Sequence, residues 1–156
     1  MALVRILVDG YSLLHSWPDL APGQPRHSAT AREELINRLT LYQDATSTPI
    51  TVFFDGAGPR SGSPPASAHA QVEVLYSRAG QTADQMIERV AHRFNPYGEV
   101  LVVTDDHAER DTVISVGGLA SGCANFIQTV QNTLADLSDE IKTHNRRERH
   151  RFRSVR

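Results

Sequence analysis

The N-terminal stretch Leu3-Val4-Arg5-Ile6-Leu7-Val8-Asp9-Gly10 decides the fold, because it is an apolar run that stops at an aspartate and a glycine. Such a run predicts a strand buried on both faces and followed by a turn. The same pattern recurs at 50–54 and at 100–103, where aspartate again follows directly or after one further residue. Because doubly buried strands are typical of parallel sheets covered by helices, the three runs predict an α/β fold.

The segments between these strands have the signals of helices. Thr30–Glu33 and Thr82–Gln85 have the form of capping boxes, and apolar residues at helical spacing follow each of them. Together with the strands, they predict a parallel sheet with helices on both faces and ligands bound beyond the carboxyl ends of the strands. The other predicted elements are a loop at 16–29, a helix at 30–45, a long mobile loop at 56–70, a strand at 72–76, a short helix from 106 to near 117, a very short strand at 119–120 and an amphipathic helix over 126–141.

Length and composition fit one domain of a common class. The chain has 156 residues, 40% of them hydrophobic, which allows a single sizeable core. Its one cysteine, Cys123, excludes an internal disulfide and a cysteine-rich zinc site, and fits a reducing compartment. The apolar stretch at the N-terminus is too short for a signal peptide, and no window reaches the length of a membrane span. We therefore expect a soluble, cytoplasmic protein without membrane association.

Charge divides the chain into two parts. Residues 1–141 carry 9 Lys/Arg and 17 Asp/Glu, a net charge of -8, whereas residues 142–156 carry 7 Lys/Arg and one Glu, a net charge of +6. We predict a domain over 1–141 and a basic C-terminal tail over 142–156 that frays into solvent from about Lys142. The tail is either a solvated terminus or an arm that binds RNA or the ribosome, and the acidity of the body favours the arm.

Acidic residues follow the predicted strands at one edge of the sheet, where parallel strands bring their carboxyl ends together. Two charges 4 Å apart cost roughly 4 kcal/mol at an effective dielectric of about 20, so such a group favours a bound cation. Oxygen ligands suit Mg²⁺ or Mn²⁺ better than zinc. Taken singly, each residue also has an ordinary role in a turn or a helix cap. They are Asp9, Asp55, Asp105, Asp106 and, at the start of the helix entered from that edge, Asp84 and Glu88.

The segment Val8-Asp9-Gly10-Tyr11-Ser12 resembles the V-D-G-Y-N signature of the YacP-like NYN domains, which are similar in fold to PIN and FLAP-type nucleases. The resemblance implies a Rossmann-like α/β/α sandwich with a mainly parallel sheet, and a metal-dependent endoribonuclease acting in RNA turnover or processing. The ordered match covers about residues 3–137 and continues through Phe54-Asp55, Val72-Glu73-Val74, Thr82-Ala83-Asp84 with Ile87-Glu88, and Val103-Thr104-Asp105-Asp106 with Glu109.

The resemblance also implies roles for individual residues. Asp9, Asp84 and Asp106 correspond to the catalytic, metal-binding carboxylates, with Asp55 as a supporting metal candidate. Asp105 stands where the family usually has serine, and is either a further metal ligand or a bystander. Ser12 replaces the asparagine of the signature, and its shorter hydroxyl predicts a looser hold on a ligand carboxylate. The residues expected to support the metal ligands are Ser12, Glu88 and Glu109.

Contacts to single-stranded RNA are expected from residues around this edge and from the tail. His15 either stacks on or holds a base or simply faces water, and the loop residues Arg60, His69 and Arg78 either hold phosphates or are simply solvated. The tail candidates are Arg146, Arg147, Arg149 and Arg151.

Two other functions compete with the nuclease. One is a non-catalytic RNA- or ribosome-binding module with a degenerate site, in which the tail does the binding. The other is a haloacid-dehalogenase-like phosphatase, which is disfavoured because Tyr11 stands where a D-x-D motif needs its second aspartate.

Overall fold

The computed structural model describes residues 3–56, 72–77 and 80–154, with side chains up to Arg151. These ranges contain five strands and five α-helices, and two short 3₁₀ turns lie at Pro18–Leu20 and Asn95–Tyr97. The elements are β1 Leu3–Asp9, α1 Gly10–Ser16, α2 Ala29–Thr46, β2 Ile50–Phe54, β3 Glu73–Tyr76, α3 Ala83–Phe94, β4 Glu99–Val103, α4 His107–Ser115, β5 Leu119–Ser121 and α5 Cys123–Ser154.

All strand pairs in the sheet are parallel, and the strand order is β3-β2-β1-β4-β5. The chain builds outward from β1 through β2 to β3, then returns to the other side of β1 with β4. The order therefore switches direction between β1 and β4, and ligands in such sheets bind outside the carboxyl ends of the strands at this switch.

Helices cover both faces of the sheet, so the predicted three-layer α/β/α architecture is confirmed. On one face, α1, α2 and α5 bury residues such as Leu13, Leu35 and Val130 against the strands. On the other face, α3 and α4 bury Ile87 and Val113. Because apolar residues point to both faces of β1 and β2, their sequences are continuous apolar runs without alternation.

The segment after β1 differs from the prediction. The expected turn at Asp9-Gly10 is absent: α1 begins directly at Gly10, and Asp9 is its N-cap, accepting a hydrogen bond from the Ser12 backbone N–H. A side-chain Cβ at residue 10 would overlap the fully buried ring of Phe54. The glycine is therefore required by tertiary packing and not by a turn.

The start of α2 and the loop before it also correct the prediction. Ser28, and not Thr30, is the N-cap of α2, because its Oγ accepts from the backbone N–H of Ala31 at 3.2 Å. The predicted loop at 16–29 contains a 3₁₀ turn and contributes Trp17 and Leu20 to the core.

The C-terminal region is helical throughout its described length. The predicted fraying from Lys142 is wrong, because α5 continues without a break for 32 residues to Ser154. Despite this length, no helix in the described ranges has an apolar stretch that could cross a membrane. The predicted loop at 56–70 falls, apart from Gly56, outside the described residues.

Candidate metal centre

Asp9 lies at the carboxyl end of the central strand β1, between β2 and β4. Its side chain is half-buried. One oxygen, Oδ1, accepts from the Ser12 N–H at 3.4 Å, and the other, Oδ2, accepts from the Ser12 hydroxyl at 3.2 Å and from the Thr104 hydroxyl at 3.5 Å. The serine that replaces the asparagine of the family signature therefore reaches Asp9, and a second hydroxyl supports the same oxygen.

Two further carboxylates join Asp9 from the first turns of helices on the same face of the sheet. Asp84 is the second residue of α3, which begins with a complete capping box between Thr82 and Gln85. Glu109 is the third residue of α4. We call Asp9, Asp84 and Glu109 the acidic cluster. Each of them has one carboxyl oxygen that lies within 4.8 Å of such an oxygen in the other two.

The orientation of Glu109 follows from the way α4 is capped. Asp106 is the N-cap, and its Oδ1 accepts from the N–H groups of Ala108 at 2.9 Å and Glu109 at 3.2 Å. A glutamate three residues after a cap normally accepts from the N–H of the cap residue. Here that N–H donates instead to the Thr104 hydroxyl at 3.2 Å. The Glu109 carboxylate is left out of the cap and lies in the acidic cluster.

Glu109 is a buried carboxyl group in poor hydrogen-bond geometry. Its side chain is only 3% exposed, and neither oxygen makes a well-formed hydrogen bond within the described part of the chain, although the Asp84 carboxyl and the Thr104 hydroxyl are near enough to interact with it. A buried polar group without partners costs about 1–3 kcal/mol, and more when it is charged. These two oxygens therefore identify a position at which a bound cation would supply the missing interactions.

Burial and nearby carboxylates raise the pKa values of Glu109 and Asp9. The pKa of Glu109 rises from 4.5 to about 8, through burial first and then through the adjacent Asp84 carboxyl. The pKa of Asp9 is also raised, mainly by burial, although the hydrogen bonds from Ser12 oppose this shift. Two ionised carboxylates at 4.8 Å repel each other by about 3.5 kcal/mol at an effective dielectric of about 20. The cluster consists of oxygen ligands only, which fits Mg²⁺ or Mn²⁺ better than zinc.

The remaining predicted metal ligands lie outside the acidic cluster and have hydrogen bonds of their own. Asp106 is exposed and caps α4, as described above. Asp55 accepts from the Ala83 N–H at 2.6 Å and from the Ser77 hydroxyl at 3.4 Å, so it fixes the start of α3 and thereby the position of Asp84. Glu88 shares a helical face with Asp84 but is exposed.

Asp105 connects three elements at the same edge. It accepts from the Ser16 hydroxyl at 2.8 Å and from the Cys123 N–H at 2.9 Å, which joins the ends of α1 and β4 to the start of α5. Burial alone would raise its pKa, but these hydrogen bonds and the nearby Arg110 outweigh burial and lower it. Cys123 is fully buried, and burial raises the pKa of its thiol to about 12, which favours the protonated form.

The predicted RNA-contacting residues fall into two described groups. His15 is exposed at the end of α1, with its Nδ1 3.4 Å from an Arg26 guanidinium nitrogen. Four predicted arginines are exposed on the distal part of α5, and the predicted loop residues lie outside the described ranges. The α5 arginines are Arg146, Arg147, Arg149 and Arg151, and the undescribed residues are Arg60, His69 and Arg78.

Comparison with known proteins identifies the family. A model of the YacP-like NYN domain matches residues 6–155 of the chain. The chain is a YacP-like NYN domain. It is 29% identical to the uncharacterized protein YacP of Bacillus subtilis (strain 168) over 127 residues, which is 81% of this chain and 74% of that protein.

Solved structures of the same relative show a similar fold. Crystal structures of Rae1 (YacP) from Bacillus subtilis and of its W164L mutant both superpose with a TM-score of 0.74, at 25% and 26% identity. They cover 92% and 89% of this chain, and the chain covers 81% of each. This YacP-like NYN domain is therefore a nuclease-like domain with an acidic cluster at its sheet switch point.

Proposed function

We propose that this YacP-like NYN domain is an endoribonuclease that hydrolyses RNA phosphodiester bonds with Mg²⁺ or Mn²⁺ in the acidic cluster, and acts in cytoplasmic RNA turnover or processing. The observation that carries the proposal is Glu109, a buried carboxyl group without a well-formed hydrogen bond, beside Asp9 and Asp84. Burial disfavours its ionised form in the metal-free protein, and a hard divalent cation would stabilise that form.

When bound, a divalent ion supplies a Lewis acid for a phosphate oxygen and lowers the pKa of a water molecule. Asp9, Asp84 and Glu109 would hold that ion. The hydroxyls of Ser12 and Thr104 keep Asp9 Oδ2 in a fixed orientation. Because Glu109 keeps its proton up to a pKa of about 8 in the metal-free protein, metal binding displaces a proton, and metal affinity increases with pH.

The surroundings of the cluster fit a phosphodiester in single-stranded RNA. α3 and α4 begin beside the cluster, and the positive ends of their helix dipoles favour an anionic phosphate at this edge of the sheet. His15 is exposed on α1, which begins directly after Asp9, and it can stack on an unpaired base. We therefore expect single-stranded RNA, free or on the ribosome, as the substrate.

The test is cleavage of a labelled single-stranded RNA in Mg²⁺, Mn²⁺ or EDTA by the wild type, Asp9→Asn and Asp44→Asn. Asp44 is a matched control, since it is an exposed aspartate in the last turn of α2. Loss of a residue that merely supports a metal ligand reduces activity about 10- to 100-fold, so loss of a ligand should reduce cleavage at least about 100-fold.

Circular dichroism shows whether each variant remains folded. Cleavage that continues in EDTA, or an Asp9→Asn protein as active as Asp44→Asn, would refute the proposal. RNA binding without cleavage in either metal would instead favour a non-catalytic RNA-binding module.

A further inference from the structure

The distal part of α5, residues 142–154 and called here the basic arm, is a helix that extends beyond the core. The last fully buried position of α5 is Val130, and Ile141 is already 52% exposed. From there to Arg151 every residue except Glu148 is exposed. The arm contains six Lys/Arg and one Glu, whereas residues 1–141 carry a net charge of -8. A positive helix on an acidic domain is suited to a polyanionic partner.

Lys142, Arg146 and Arg149 form a stripe along one face of the basic arm. Their spacings of four and three residues place them within about 60° of one another around the helix axis and spread them over about 10 Å. None of the three has an ion-pair partner among the side chains that the structure describes. On the other side of the arm, Arg151 lies 3.7 Å from Glu148. Like charges at this spacing repel each other, and a row of phosphates would remove that repulsion.

We propose that this stripe binds the phosphate backbone of the RNA substrate at a distance from the cleavage site. The inference rests on the proposed endoribonuclease function and assigns a second contact to the same substrate. Lys and Arg bind phosphates without reading sequence, so the arm adds affinity but not base specificity.

The length of α5 fixes how far this contact lies from the acidic cluster. α5 begins at the carboxyl edge of the sheet, where the Cys123 N–H donates to Asp105. Lys142 follows 19 residues later, which is about 28 Å along the helix axis. A stacked strand at about 3.4 Å per nucleotide needs about eight nucleotides to span this distance. The arm therefore favours long RNA over short oligonucleotides.

The first test measures binding of a fluorescent 30-nucleotide RNA in EDTA, where cleavage does not interfere. At 0.1 M salt one phosphate contact on single-stranded RNA contributes about fivefold to affinity, so Arg146→Gln/Arg149→Gln should bind about 25-fold more weakly. The slope of log K against log salt concentration should fall by about 1.4. The matched control is Arg89→Gln/Arg93→Gln, two exposed arginines four residues apart on α3. The loss of RNA affinity in this control should be less than a third of the 25-fold loss expected for Arg146→Gln/Arg149→Gln.

A second double variant tests whether RNA binding depends on the stripe itself or only on the total positive charge of the basic arm. Arg147→Gln/Arg151→Gln removes the same charge from the other side of the same helix and should also lose much less affinity. An equal loss in this variant or in the α3 control would overturn the assignment. Arm-dependent binding to phosphatidylserine vesicles without affinity for RNA would overturn it as well.

The last test separates the arm from the chemistry. The ratio of kcat/KM on the 30-nucleotide RNA to that on a tetranucleotide should fall about 25-fold in Arg146→Gln/Arg149→Gln, because the tetranucleotide cannot reach the arm. An unchanged ratio would contradict the inference. If the wild type cleaves neither RNA, the proposed function fails, and the binding experiment in EDTA still decides whether the arm holds RNA.

Discussion

Replacement of Glu109 by glutamine should stabilise the metal-free protein at alkaline pH. The folded-state pKa of about 8 lies above the ordinary value of 4.5, so the folded protein retains a proton that the unfolded chain has lost between these pH values. The stability of the wild type in EDTA therefore falls as pH rises from about 4.5 to 8, and levels off above that. The raised pKa of Asp9 adds a change of the same sign as pH rises.

The magnitude follows from the same shift. A change from 4.5 to about 8 corresponds to at most about 5 kcal/mol of lost stability at pH 8.5. Below its pKa Glu109 is a neutral acid beside Asp84, and a glutamine amide at this position is neutral as well, so the substitution itself changes stability little. We expect Glu109→Gln to match the wild type at pH 5 and to be more stable than it at pH 8.5, by at most about 5 kcal/mol.

Urea unfolding in EDTA at pH 5, 7 and 8.5 measures both effects, and Glu88→Gln is the matched control, since Glu88 is exposed on α3. Addition of Mn²⁺ should reverse the order at pH 8.5, because the ion stabilises the wild type in proportion to the logarithm of its concentration. A wild type whose stability in EDTA is flat or rises between pH 5 and 8 would refute the reasoning, as would a Glu109→Gln protein with the same pH slope as the control.

Three further predictions test the parts that position the cluster. Gly10→Ala should destabilise the protein by about 1–3 kcal/mol in urea unfolding, because its methyl group would overlap the Phe54 ring; unchanged stability would show that the ring can move. Asp106→Asn keeps a good N-cap and should retain most of the Mn²⁺ affinity measured by calorimetry. Asp106→Ala loses the cap and should be less stable by about 1 kcal/mol in urea unfolding. A loss of Mn²⁺ binding in Asp106→Asn would show that Asp106 is a metal ligand. Ser12→Ala should weaken Mn²⁺ binding several-fold by removing one hydroxyl from Asp9, and equal affinity in calorimetry would show that Ser12 does not orient it.

The strands and the layer order could be predicted because their signal is local. The apolar runs at 3–8, 50–54 and 100–103 are buried on both faces, and this environment leaves a continuous pattern in the sequence. The start of α1 could not be predicted, since Gly10 is selected by contact with a side chain 44 residues away. The distal part of α5 was expected to fray because of its charge, but Arg, Lys and Glu are good helix formers and continue the helix to Ser154.

The acidic residues at the sheet edge could be predicted because parallel strands end together. The sequence could not show which of them face one another, as this depends on hydrogen bonds between distant segments. Glu109 has the spacing of a capping-box glutamate from Asp106, but the N–H of Asp106 donates to the Thr104 hydroxyl and the Glu109 carboxyl lies in the cluster. The sequence does contain one signal for this arrangement, the threonine two residues before the capping aspartate Asp106. That signal can be interpreted only when the position of the β4 end is known.

The three carboxylates of the acidic cluster come from positions 9, 84 and 109, so a cation held by them would close a loop of about 100 residues. It would cross-link the central strand and the start of α1 to α3 and α4, but it would not reach α2 or α5. Chelation should therefore loosen the first turns of α3 and α4 more than α2. Amide hydrogens in the first turns of α3 and α4 should exchange faster in EDTA, while those in the middle of α2 keep their protection.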